Sequence, residues 1–337
     1  MESHGTACQG IIFAQTNNDI GIAGIAPACG LLPIKVFGDT LVSDESAPVY
    51  VFENVFSYVL DYMTQEANEM VVSCSFSWLP TVPSLWVANI TAILDTIHMM
   101  GVPVVFSSGN RGEYYTEGYS IGYPAYLETT IGVGAIRKTG EHWNYSGSGD
   151  GINVVAPSGH YYGYDAGDVY TLDQMDSLGW NPEFVTCLEA GENYMCTFGG
   201  TSAAAPQVAG ILALIRSKNP NLFRQYETVL NNSARDGIGD QYDTTGWDPC
   251  YGYGLVSAFR ALLAISRGDA NCSGSLNLLD VVYIINYLYK GGPEPIPDVL
   301  MADVNCDGAI SILDVNYIID YLYNSGPAPR ICFEYGD

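Results

Sequence analysis

A serine preceded by Gly-Gly-Thr and followed by three alanines and a proline, FGGTSAAAPQVAG over 198–210, is the stretch of this chain best suited to nucleophilic chemistry. Glycines let a chain turn sharply, and a helix opening behind the turn offers a backbone N–H and a positive dipole end to a developing oxyanion. Small alanines would admit a substrate backbone close to Ser202. Proline is tolerated in a first helical turn, where its missing N–H has no partner to lose. On residue types alone, an ordinary small-residue helix packed on a sheet fits equally well, and both readings stay open. Two more polar groups stand in short glycine-bearing stretches: His4 in SHGTACQG (3–10), and Asn110 in SSGN (107–110) after the apolar run VPVVF. A general base is what an activated serine needs.

A second chemistry repeats itself along the chain. Asp269, Asn271, Gly274, Asp280, Tyr283, Ile284 and Leu288 recur as Asp303, Asn305, Gly308, Asp314, Tyr317, Ile318 and Leu322, a period of 34. Oxygen ligands at positions 1, 3, 5, 9 and 12 with glycine at 6 are the spacing of an EF-hand-type calcium loop. Copy one (269–280) supplies Asp269, Asn271, Ser273, Asn277 and Asp280; copy two (303–314) supplies Asp303, Asn305, Asp307, Ser311 and Asp314. Position 12 is Asp rather than Glu, and GGPEPIPD (291–298) would break any helix entering the second loop, so each unit is expected to be a loop with its exiting helix alone. Copy one has fewer carboxylates and should bind calcium more weakly. Asn- and Asp-rich turns without metal are the alternative.

These groups need a scaffold. LLPIKVF (31–37), MVVSCSF (70–76), VPVVFSS (102–108), TTIGVGAI (129–136) and INVVAP (152–157) read as strands buried on both faces, with helices over 49–67, 85–100 and 202–217. The alternation predicts an α/β domain with a mostly parallel sheet and helices on both faces. Residues 159–197, rich in Tyr, Gly and acids, read as a long surface insertion that shapes access rather than core.

The chain has 337 residues, 48% apolar and 15% charged, and a formal charge of −25 from 37 acids against 12 Lys and Arg. That excess argues against nucleic acid and anionic membrane as partners, because the field would repel them. No apolar run reaches the ~18 residues of a membrane span. Nine cysteines leave at least one unpaired. Cys187 and Cys196 flank CLEAGENYMC and either staple a surface hairpin or are free thiols; Cys8, Cys29 and Cys74 read as small buried hydrophobes.

GGTSAAAP resembles the nucleophile motif of the subtilisin-like serine peptidases, SHGTACQG their catalytic-histidine motif and SSGN their oxyanion-hole motif, all in the family's order. NNDIGIAGIAPACGLLPIKVFG, YPAYLETTIGVGAI and YGYGLVSAFRAL (251–262) extend the likeness over nearly all of 3–265. The resemblance implies a subtilisin-like domain over 1–266 in which Ser202 attacks the scissile carbonyl, His4 takes its proton and Asn110 donates to the oxyanion. It further implies that Ser75, Phe76 and Ser77 line the strand that pairs with substrate main chain. Ser107, Ser108, Gly109 and Gly122 would form the first specificity pocket, with a roomy base at the last. A further calcium is expected near Asn18 in NNDIG, while His98, His142 and His160 match no motif and are expected to be surface or structural.

In this family the triad runs Asp, His, Ser, and Asp19, Asp39 and Asp44 match no acid motif. The resemblance thus implies that the acid is missing, that the sequence is an amino-terminally truncated reading, and that it is nearly inactive alone.

The repeats are similar to type I dockerins over 268–329, which implies a small all-α calcium-binding docking domain over 268–337 and a cohesin-type protein partner. Loop positions 10 and 11 depart from the small hydroxyl residues common in cellulosomal dockerins, being Leu278, Leu279, Ile312 and Leu313. Together the two likenesses imply a secreted or cell-surface, calcium-dependent serine endopeptidase acting on a protein or peptide substrate. The rivals are a non-catalytic binding protein of the same fold with a docking module, and a structural calcium module carried by the large domain.

Overall fold

Valine- and isoleucine-rich runs become strands when a ladder partner lies on each side. In the computed structural model, which describes residues 2–36, 49–66, 69–78, 84–111, 121–160, 169–175, 179 and 193–333, Val72–Cys74 (β1), Val104–Ser107 (β2), Ile131–Ile136 (β3) and Ile152–Pro157 (β4) form a parallel sheet in that order. Val72 pairs with Val104 and Val105 with Ile131. Glu2–Phe13 (α1), Val49–Glu66 (α2), Ser84–Met99 (α3) and Thr201–Lys218 (α4) are the long helices of this part. On α2 the residues Phe52, Phe56, Val59 and Met63, and on α3 Ile90, Leu94 and Ile97, recur at helical spacing and close over Val104 and Phe106 in one buried cluster.

Two expectations need correction. Residues 31–36 form no strand among the described residues, and Leu31 and Leu32 are 46% and 41% exposed; Phe37 lies outside the described residues. An apolar run becomes a strand only if its backbone groups find a ladder, and here only Ile34 and Val36 rest against the α2–α3 cluster. The 159–197 stretch, in turn, is not all surface. Val169–Leu172 (β5) and Tyr194–Phe198 (β6) pair antiparallel, and Met195 and Phe198 share a buried cluster with Ala7 and Ile11 of α1 and Ala203 of α4. Thr171 Oγ1 donates to the Ala7 carbonyl, and a Cβ at Gly10 would lie 2.6 Å from the Leu172 nitrogen. The ends of the stretch are therefore core; 161–168, 176–178 and 180–192 lie outside the described residues. Cys196 is disulfide-bonded, and Cys187 is outside the described residues.

The chain divides into two compact units, Met1–Arg216 with Pro220–Val256, and Ser217–Asn219 with Ser257–Asp337. After Tyr226–Asn232 (α5), the helix Ala258–Ile265 (α6) thus falls in the second unit, ahead of the boundary expected near residue 266. Leu278–Lys290 (α7) and Ile312–Tyr323 (α8) pack there around Ala270, Val281, Ile284, Val304, Val315 and Ile318. A 3-10 turn, Val299–Ala302, rather than an α-helix leads into the second loop, whereas α6 precedes the first. A disulfide joins Cys306 to Cys332, while Cys272, the counterpart of Cys306 in the repeat, is free and exposed. Among the described residues no helix is long and apolar enough to cross a membrane.

Candidate active site and calcium loops

The turn before α4 is shaped by two glycines. Gly200 has φ +74°, a left-handed conformation, and a Cβ on Gly199 would lie 2.3 Å from the His160 carbonyl oxygen. Ser158 Oγ donates to Gly200 O at 2.6 Å and fixes the turn from the end of β4. Contrary to the sequence expectation, Pro206 sits inside α4, beyond the first turn. Its missing N–H is the one that would bond the Ser202 carbonyl four residues back. That carbonyl finds two other donors: Ser75 Oγ at 3.0 Å and Cys8 Sγ at 3.6 Å.

The same atoms gather the rest of the site. Ser202 Oγ donates to the Ser75 carbonyl at 3.2 Å, and Cys8 Sγ lies 3.9 Å from His4 Nδ1. The His4 ring meets Phe198 edge-on at 5.7 Å. Burial pushes the His4 imidazole down to about 4 and the Cys8 thiol up to about 12. At neutral pH His4 is therefore a neutral acceptor and Cys8 a thiol, so Cys8 is no rival nucleophile. A base works best with a pKa near the operating pH, and a carboxylate beside His4 would raise it towards that range.

Asn110 is tied to the nucleophile turn. Its Oδ1 accepts from Thr201 N at 2.8 Å and Thr201 Oγ1 at 2.9 Å, and Thr201 Oγ1 accepts from Gly109 N at 3.2 Å. With the amide oxygen engaged twice, the Asn110 NH2 is the half left to donate. Thr201 is the clamp, fully buried, and sequence reading missed its role although GGTS displays it.

The expected substrate-binding residues divide. Ser75 joins Ser202. Phe76 packs its ring on Phe52 (5.1 Å) and Phe106 (5.8 Å), so its side chain belongs to the core. Ser107 and Ser108 are buried, and the Ser108 hydroxyl is without a hydrogen-bond partner. Gly109, at φ +103°, would place a Cβ 3.0 Å from Ser77 Oγ. A Cβ at Gly122 would lie 2.6 Å from Ser77 Oγ and 2.7 Å from Trp78 O. The glycine there admits the 77–78 backbone, which bridges to Tyr123.

The two loops of the second unit fold alike. Asp269 accepts from Ser273 N and Gly274 N (both 2.9 Å), and Asp303 from Asp307 N and Gly308 N (both 3.2 Å). Asn277 and Ser311 cap α7 and α8, each in a capping box closed by Asp280 or Asp314. Asp280 and Asp314 are fully buried, and burial pushes both carboxyls up. Asp303, Asp307 and Asp314 offer oxygens within 4.8 Å of one another. Asp303 and Asp314 are buried and Asp307 is exposed, and a cation would relieve the repulsion among carboxylates so close. The donor set fits calcium, whose charge would balance these acids when bound. Near Asn18 there is no such acidic cluster among the described residues, and Asn18 Oδ1 accepts from Ile20 N at 3.1 Å.

Residues 1–254 match the sequence pattern of the Subtilase family. The chain belongs to the subtilase family. Residues 267–323 of this subtilase match the Dockerin type I domain. It is 30% identical over 280 residues to the "Calcium-dependent protease" of Nostoc sp., aligned over 77% of this chain and 40% of that protein. It is 27% identical to "Subtilisin E" of Bacillus subtilis, over 76% of this chain and 54% of that protein. The chain thus spans about half or less of the length of these relatives. The solved structure of "Sphericase" superposes with a TM-score of 0.58 at 25% identity, covering 75% of this chain and 76% of that one. The fold is subtilisin-like, and the subtilase carries a dockerin.

Proposed function

We propose that this subtilase is a secreted serine endopeptidase in which Ser202 attacks the scissile carbonyl, His4 receives its proton and Asn110 holds the oxyanion. The observation that carries the reading is the clamp through Thr201, which ties Asn110 to the turn presenting Ser202. Ser75 and the 107–109 turn flank the cleft and bind the peptide. The triad's acid is unassigned among the residues of this chain. A subtilisin triad without its acid turns over about 3 × 10⁴ more slowly, so activity is best read as active-site labelling.

The dockerin is proposed to bind calcium at both loops and to tether the enzyme to a cohesin-type partner. Leu278, Leu279, Ile312 and Leu313 are 45–66% exposed and would make that contact apolar. A second reading, a binding protein that keeps the fold without turnover, is favoured by the Ser202 hydroxyl bonding to Ser75 rather than to His4. Labelling the full chain with a fluorophosphonate, followed by peptide mass mapping, separates them. The peptidase reading expects modification at Ser202, abolished in Ser202→Ala. An unlabelled wild-type chain that still responds to calcium would favour the binding protein.

A further inference from the structure

The two calcium loops differ in their nearest cation. Lys218, the last residue of α4 and part of the second unit, places Nζ 3.7 Å from Asp269 Oδ2; its side chain is 33% exposed and that of Asp269 7%. Asp269 is the first ligand position of the first loop. The matching Asp303, and Asp307 and Asp314 beside it, have no lysine or arginine at ion-pair distance among the described residues; Arg330 Nη1 donates instead to the Asn305 carbonyl at 3.2 Å.

We propose that Lys218 is a built-in competitor for calcium at the first loop: its ammonium balances Asp269 in the ion-free protein and opposes the ion when it arrives. The inference rests on the calcium reading of both loops and adds a positioning residue to it. The first loop brings two carboxylates, Asp269 and Asp280, against three in the second, Asp303, Asp307 and Asp314. With Lys218 counted, the local charge is −2 + 1 = −1 in one loop and −3 in the other. A divalent ion held by Asp269 would lie within a few ångströms of that ammonium, where like charges repel. Both Asp269 oxygens already accept loop N–H groups, so the lysine draws on an acceptor that calcium also needs. The filling order follows: second loop first, first loop only at higher calcium.

Calorimetric titration of the full chain with calcium, after chelation, tests this in wild type, Lys218→Met and Lys218→Arg. Lys218→Met is expected to tighten the weaker site by about three- to tenfold and leave the stronger one unchanged, a partly exposed pair being worth a modest amount. Lys218→Arg keeps the charge and should keep wild-type affinity. Thermal unfolding adds a signature that packing alone would not give: Lys218→Met should lower the ion-free melting temperature of the second unit and raise the calcium-saturated one. An unchanged or weakened first site, or a fall in both melting temperatures, overturns the inference while the calcium reading stands. A wild-type chain that binds calcium at neither site overturns both.

Discussion

The two units build their polar sites by opposite means. In the first, Cys8, Ser75, Asn110 and Ser202 arrive from four separate stretches and meet through a few hydrogen bonds across the chain, with Thr201 as clamp and Pro206 freeing the Ser202 carbonyl for outside donors. In the second, each site is one loop of twelve positions whose carboxylates bind their own backbone. A site of distant parts depends on the fold, and the fold hardly depends on it. A local site is itself the structural unit. Losing a group should therefore remove chemistry in the first unit and structure in the second.

The strongest test of that contrast is Asp314→Ala. It removes a buried ligand and the closing residue of the α8 capping box together. Scanning calorimetry of the full chain in calcium should show the second unit's transition lost or merged into the ion-free one, with the first unit's transition in place. Asn110→Ala should leave both transitions intact and slow fluorophosphonate labelling of Ser202 by about 10² to 10³, the usual loss for one oxyanion donor. Ser75→Ala takes a donor from the Ser202 carbonyl, whose intrahelical partner Pro206 cannot replace it. Cys8 Sγ still donates to that carbonyl, so a drop of only about 0.5–1.5 kcal/mol in the first unit's stability is expected from denaturant unfolding.

A further effect concerns acid. Burial pushes His142 down to about 4 from an ordinary 6.5, with its ring against Tyr251 and its Nε2 buried without a hydrogen-bond partner. The folded pKa is the lower one, so the unfolded chain binds the proton first. Its contribution is whole above about 6.5 and is lost as pH falls towards 4, by at most about tenfold in the unfolding constant per pH unit. His142→Phe should flatten that slope for the first unit alone.

The same contrast explains what could be read in advance. Both loops stood out in the sequence because every expected ligand lies within one short window. Helices α2, α3 and α4 and strands β2 to β4 were legible because their apolar spacing is periodic over whole elements. LLPIKVF was not, since the same composition suits a strand only where a neighbour pairs with it, and none does among the described residues. His4, Asn110 and Ser202 stood out by their motifs, but Thr201 and Cys8 did not. Their roles arise from contacts across 91 and 194 residues that no local pattern encodes. The neighbours of Gly122 were hidden for a related reason: a glycine announces a close approach without saying which partner makes it.

Asp280 and Asp314 hold both oxygens of their carboxylates against backbone N–H groups, from Asn271 and Asn277 in one loop and Val304 and Ser311 in the other. Each side chain is the clamp that starts a helix and, on the calcium reading, also the ligand at loop position 12, with no accessible surface left. Glutamate, the common residue at loop position 12 and at the closing position of a capping box, is a single methylene longer, and that methylene would have to be packed beside two backbone donors at a position with no solvent exposure. One side chain thus serves the start of the helix and the end of the loop, so a change there is felt by both at once.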